Sequence, residues 1–131
     1  KVVKEAVKIK LGLSSELKLG NLDASRDWGH AKDYVAAMWL MLQQDTPDDF
    51  VCSTGKSHTV KDLVEYVFGK LELDWKDYVK QDKKFYRSEE LEFLKGDCSK
   101  AVEKLGWKHK YTLETMLDEM IENWKQHFKG E

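Results

Sequence analysis

The amino-acid sequence predicts an α/β fold, mostly helical with a few short strands, that forms the C-terminal part of a larger α/β protein. Three observations carry this expectation. Apolar residues recur at three- and four-residue steps in about five segments, the mark of amphipathic helices. Strand-like alternation is confined to roughly three or four short stretches, too few and too short for a complete nucleotide-binding parallel sheet. The chain starts Lys1-Val2-Val3-Lys4, with no initiator Met and a helical pattern from its first residues, which points to a piece of a longer protein.

Each element has a local reason. Val2, Val3, Ala6, Val7, Ile9 and Leu11 lie at helical spacing up to Gly12, a C-terminal stop. Leu17-Lys18-Leu19 alternates like a short strand and ends at Gly20, before a polar loop from Asn21 to Trp28. Tyr34, Val35, Met38, Trp39 and Leu42 predict a helix from about His30 to Gln44, stopped by Asp45-Thr46-Pro47. On that face Met38 and Trp39 read as core, as do Met116, Met120 and Trp124 further on. Phe50-Val51-Cys52 reads as a short buried strand and Ser53 to Lys56 as a turn. Thr59 with Asp62 three residues later starts a helix through about Leu71. Tyr78-Val79 begins another strand, and Asp82 to Gly96 is charged and irregular. Asp97 caps a short helix, Ser99 to Leu105, closed by Gly106-Trp107, and Thr112 starts a final helix through Phe128. Acidic Glu114, Asp118 and Glu119 crowd its start and Lys125 and Lys129 its end, as the helix dipole favours.

Composition narrows the function. At ~100–200 residues per domain, 131 residues make one domain or part of one. With 22 basic against 24 acidic side chains, there is no basic excess of the kind nucleic-acid binders carry. No apolar run approaches the ~20 residues needed to cross a bilayer, and the N-terminus lacks the apolar stretch of a signal peptide. Cys52 and Cys98 are far apart and outside any Cys-x-x-Cys, which fits a reducing, cytoplasmic setting. His30, His58, His109 and His127 show no metal-ligand spacing.

Four patterns bear on chemistry. Neither a Gly-x-Gly-x-x-Gly nor a Gly-x-x-x-x-Gly-Lys-[Ser/Thr] loop occurs. Tyr66 and Lys70 form a Tyr-x-x-x-Lys on one helix face, where the ammonium would favour a phenolate base; a surface pair is the plainer reading. Arg26, in a loop before a helix, can present its planar fork to phosphate oxygens, or pair with Asp23 or Asp27. In Phe85-Tyr86-Arg87-Ser88-Glu89-Glu90, the arginine suits a second phosphate and a carboxylate suits the two hydroxyls of a ribose; a solvated charge run is the alternative.

The stretch Leu19-Gly20-Asn21-Leu22-Asp23-Ala24-Ser25-Arg26-Asp27-Trp28-Gly29-His30-Ala31-Lys32-Asp33-Tyr34-Val35 resembles the signature of the GDP-mannose 4,6-dehydratases, among the extended short-chain dehydrogenase/reductases. Ala37 to Gln44, Thr54 to Val60, Phe85-Tyr86-Arg87, Gly96 to Ala101 and Leu105 to Lys108 follow in the family's order. The resemblance implies that residues 1–131 form one sugar-nucleotide-binding lobe, without the Rossmann core. The NADP loop, the catalytic Thr and Glu and the Tyr-x-x-x-Lys pair of the family lie upstream, which favours the surface-pair reading of Tyr66 and Lys70. The reaction implied for the parent is conversion of GDP-mannose to GDP-4-keto-6-deoxymannose, a step toward GDP-fucose. It runs by oxidation at C4, loss of water across C5–C6 and return of hydride to C6, with NADP held by the missing part. The fragment itself is then inactive. The resemblance further implies a cytoplasmic homodimer or homotetramer with no nucleic-acid or membrane partner. Arg26 and Arg87 match diphosphate contacts, Glu90 the ribose carboxylate, and Lys1 and Leu22 positions near the base. Ser88-Glu89 stand where the family usually reads Pro-Thr, which loosens the turn and adds a negative charge. The alternatives are a related dehydratase or epimerase acting on another sugar nucleotide, and a non-catalytic helical interaction domain. A lobe of a two-part enzyme also leaves apolar surface for its partner, expected on the first helix.

Overall fold

The computed structural model describes residues 1–86 and 91–130. In chain order the elements are α1 (Val2–Lys10), β1 (Leu17–Leu19), β2 (Ser25–Arg26), α2 (Ala31–Leu42), β3 (His58–Thr59), α3 (Val60–Lys70), α4 (Trp75–Tyr78), β4 (Val79–Gln81), a 3-10 turn (Lys83–Phe85), α5 (Ser99–Leu105) and α6 (Leu113–Lys129). The helices expected from periodicity all form. The single turn α4, capped by the Asp74 carboxylate, is too short to show a period.

Local chemistry sets the boundaries. Thr59 and Asp62 close a reciprocal capping box on α3: each backbone N–H donates to the other residue's side chain. Thr112 does the same for α6 with Thr115. Gly106 ends α5 in the left-handed conformation, at φ +64°, which costs glycine little and any branched side chain more.

The main core lies where α1, α3 and α6 meet over β1 and β4. Val7, Leu17, Val64, Val67, Phe68 and Leu117 are its largest fully buried side chains. β1 runs parallel to β4, Leu17 opposite Val79 and Leu19 opposite Gln81. A second cluster, Ala37, Ala101, Leu105 and Trp107, joins α2 to α5. Between the two clusters β2 pairs antiparallel with β3, Arg26 opposite His58. On its other side Ser25 bridges Phe93 in parallel, through Ser25 N to the Glu92 carbonyl and Leu94 N to the Ser25 carbonyl.

Three expectations are corrected. Phe50-Val51-Cys52 takes no strand: among the described residues no backbone–backbone hydrogen bond joins it to a neighbour to form a ladder. Met38 and Trp39 stand in solvent, while their helix packs through the opposite face. An exposed apolar face is therefore found on α2, whereas Val3, Ala6, Val7 and Ile9 of α1 are buried. Met116 and Trp124 pack against the main core as expected, and Met120 sits at its edge. Among the described residues no helix is long and apolar enough to cross a membrane.

Candidate sugar-nucleotide site

Arg26 sits on β2, half-buried between β3 and residues 92–94. Its Nη1 donates to the carbonyls of Ser25 (2.7 Å) and Leu91 (2.6 Å). The guanidinium is thereby held at the point where the chain emerges from residues 87–90. Asp27 does not serve as its simple counter-ion. The Asp27 carboxylate accepts from Thr54 N (3.0 Å), the Thr54 hydroxyl (2.6 Å), Gly55 N (2.9 Å) and Gly96 N (3.3 Å). Burial acts to raise its pKa, but the bonds from Thr54, Gly96 and Gly55 outweigh it and hold the carboxyl below the usual carboxylate range. One side chain thus ties three chain segments around β2.

On the other flank, Lys1 Nζ donates to the Lys18 carbonyl (2.6 Å) and lies 3.9 Å over the Phe85 ring. The Phe85 carbonyl meets Gly20 so closely that a Cβ there would collide with it; the glycine lets β1 end against this turn. Lys1 also lines a groove of about 420 Å³ with Trp28, Val60, Leu63, Met116 and Met120. Leu22 is buried in the main core, and its carbonyl accepts from Lys61 N (2.9 Å). Arg87 and Glu90 lie outside the described residues. The structure therefore brings Lys1 to Phe85 and Arg26 to Leu91, the two approaches to that segment, and keeps the Leu22 side chain in the core.

Tyr66 and Lys70 form a brace. The Tyr66 hydroxyl donates to Asp118 Oδ1 (2.9 Å) and Lys70 Nζ binds Asp118 Oδ2 (3.2 Å), linking α3 to α6. Burial and the Asp118 bond raise the Tyr66 pKa, so the phenol keeps its proton, the reverse of what a base needs.

Two structural residues escape a sequence reading. His30 caps α2 through Nδ1, accepting from Lys32 N, and stacks on Tyr111 at 3.9 Å between ring centroids. Asp33 is buried at 4% exposure; its carboxylate accepts from Lys110 N and Tyr111 N, and its carbonyl accepts from the Trp107 indole. Trp107, Lys110 and Tyr111 lie more than seventy residues away, and only the Gly29-His30-Ala31-Lys32-Asp33 motif itself marks His30 and Asp33.

Among the described residues no group of His, Cys, Asp and Glu is arranged to hold a metal ion. Nor do they fit a nicotinamide dinucleotide: the strands form two two-stranded pairs, with no glycine-rich strand-to-helix turn to receive a pyrophosphate.

Compared with known proteins, residues 1–120 match the family described as GDP-mannose 4,6 dehydratase. The chain belongs to this family. GDP-mannose 4,6 dehydratase 1 of Arabidopsis thaliana is 52% identical over 93% of this chain and 34% of its own length. The GDP-mannose 4,6 dehydratase of Homo sapiens is 44% identical over 92% of this chain and 37% of its own. The chain thus spans about a third of the curated relatives it matches, at their C-terminal part. Among solved structures, RMD from Pseudomonas aeruginosa, complexed with NADPH, aligns with a TM-score of 0.86 at 20% identity, over 96% of this chain and 41% of that one. The dTDP-glucose 4,6-dehydratase of Bacillus anthracis, in complex with NAD, aligns at 0.82 and 20% identity, over 98% and 40%. The fold is the α/β C-terminal lobe of the extended short-chain dehydrogenase/reductase dehydratases and epimerases, mostly helical and without the Rossmann core.

Proposed function

We propose that residues 1–131 form one unit that binds the GDP moiety of GDP-mannose within a GDP-mannose 4,6-dehydratase, a lyase producing GDP-4-keto-6-deoxymannose. The observation that carries this is the fixed guanidinium of Arg26, within a segment matching that family over residues 1–120. In this reading Arg26 and Arg87 clamp the diphosphate, Glu90 accepts the ribose hydroxyls, and Lys1 and Leu22 lie near the base. NADP is bound by the part of the enzyme outside this chain, so the 131 residues alone do not catalyse. The enzyme works in the cytoplasm, in supply of GDP-fucose, as a homodimer or homotetramer with no nucleic-acid or membrane partner.

The test is titration calorimetry of GDP-mannose, GDP and UDP-glucose against the full-length enzyme and its Arg26→Ala variant. Charge-assisted hydrogen bonds of ~1.5–3 kcal/mol predict a loss of roughly 10- to 150-fold in affinity for GDP-mannose and GDP alike. Binding unchanged by Arg26→Ala would refute the diphosphate role. Selective binding of UDP-glucose would refute the substrate.

A further inference from the structure

Cys52 and Cys98 stand 46 positions apart in sequence, and the fold brings them to one place. Both pack, half-buried, against the cluster of Ala37, Ala101 and Trp107 that joins α2 to α5. The segments that carry them run side by side. A Cβ on Gly96 would collide with the Ser53 side chain, so the two backbones meet one residue after Cys52 and two before Cys98. The Asp27 carboxylate clamps the same crossing, accepting from Thr54 N and Gly96 N. Cys98 precedes α5 without a capping bond from its side chain, so its thiol is not committed to the helix.

The two thiols also sense each other. Burial first, and then the charge of a Cys98 thiolate, raise the Cys52 pKa. A cross-link between two cysteines needs their backbones close enough to be bridged without moving them. Here one carboxylate and one backbone crossing already hold those backbones together.

We propose that Cys52 and Cys98 form a reversible disulfide, which closes within the folded chain when a small-molecule disulfide such as glutathione disulfide is present. The step is thiol–disulfide exchange. Burial keeps the proton on Cys52, so the Cys98 sulfur attacks first. It bonds to one glutathione sulfur as the S–S bond breaks, and the other glutathione leaves as a thiol with the Cys98 proton. Cys52 then attacks the Cys98 sulfur, and the second glutathione leaves as a thiol with the Cys52 proton. Two electrons and two protons pass from the cysteines to glutathione disulfide. The new bond ties residues 52–55 to residues 96–98 across the Asp27 crossing, beside the strand that carries Arg26. The inference does not depend on which nucleotide the site near Arg26 accepts.

The test equilibrates the full-length chain with glutathione and glutathione disulfide, in native buffer and in concentrated urea. Free thiols are then blocked in acid and the peptides mapped by mass spectrometry without reduction. A linked Cys52–Cys98 peptide should form in native buffer with an equilibrium constant at least about 10-fold above that in urea, because folding has already closed the intervening loop. Its yield should not depend on protein concentration. Cys52→Ser should instead collect glutathione on Cys98, and Cys98→Ser should leave Cys52 a free thiol. In the oxidised chain the amides of Thr54, Gly55 and Gly96 should exchange at least about 10-fold more slowly than in the reduced one, and dithiothreitol should reverse this. A native constant no higher than that in urea would overturn the proposal, since the fold would then hold the sulfurs apart. So would a linked peptide whose yield rises with protein concentration, which assigns the bond to two copies, or cysteines that carry only glutathione.

Discussion

Asp27 offers the most demanding test of how the site is held. Its carboxylate gathers four donors from residues 54, 55 and 96. Hydrogen bonds to a charged acceptor contribute ~1.5–3 kcal/mol each when buried. The site is only half-buried, so water recovers part of what is lost. Counting the three shorter bonds at about a third to a half of that value gives roughly 2–4 kcal/mol for Asp27→Ala, or about 10 °C in Tm for a domain of this size. Asp27→Asn should cost nearly as much, since its amide NH2 would face the N–H groups of Gly55 and Gly96. The acid dependence adds a second check. The folded pKa of Asp27 lies below its ordinary value of 3.8. Its stabilisation is therefore fully present above the unfolded pKa and is lost as pH falls through the depressed folded value. Thermal melts followed by circular dichroism from pH 7 to pH 3 should show a gap between wild type and Asp27→Asn that is constant above about pH 5 and narrows below pH 4. A gap under ~3 °C, or one that ignores pH, would refute the role given to this carboxylate.

Three further predictions concern the scaffold. Asp33→Ala strands the backbone N–H groups of Lys110 and Tyr111 and should cost roughly 2–4 kcal/mol in urea unfolding; a loss below ~1 kcal/mol would mean that water reaches them. Thr59→Ala opens the α3 capping box and should cost about 1 kcal/mol. The Thr59 backbone N–H, which alanine keeps, is the chief cause holding the Asp62 carboxyl below its usual range, and the lost hydroxyl accepts from the Asp62 N–H, so most of that loss should persist as pH falls from 7 to about 4. Tyr66→Phe removes one bond to Asp118 and should cost at most ~1.5 kcal/mol while leaving the kcat of the full-length enzyme unchanged; a collapse in kcat would return Tyr66 to the chemistry.

Much of this fold was legible because its signals are local. The periodicity of Leu63, Val64, Val67 and Phe68 and the Thr59–Asp62 box specify α3 within a dozen residues. Arg26 stood out for the same reason: a fork-shaped donor in a short motif. What sequence could not show is long-range. Asp27 reads as a plausible counter-ion for its neighbour until the chain brings residues 54, 55 and 96 to it. Met38 and Trp39 read as core because apolar spacing reports that a face is covered, without saying whether the cover belongs to the same piece of chain. Phe50-Val51-Cys52 carries the alternation of a strand, and alternation alone cannot supply the neighbour a strand needs.

The parallel pairing of β1 with β4 has a consequence for how the molecule is made. Leu17 must wait for Val79, so the ladder closes a loop of about sixty residues that contains α2 and α3. Closing a loop of that size costs ~3–4 kcal/mol in chain entropy, which β1 and β4 alone, three residues each, do not offset. Pulsed hydrogen exchange during refolding should find β1 amides protected after those of α3. On a ribosome adding ~5–20 residues per second, β1 emerges roughly 3–12 s before its partner strand. For that interval Leu17 and Leu19, buried in the finished protein, lack the strand that completes their ladder.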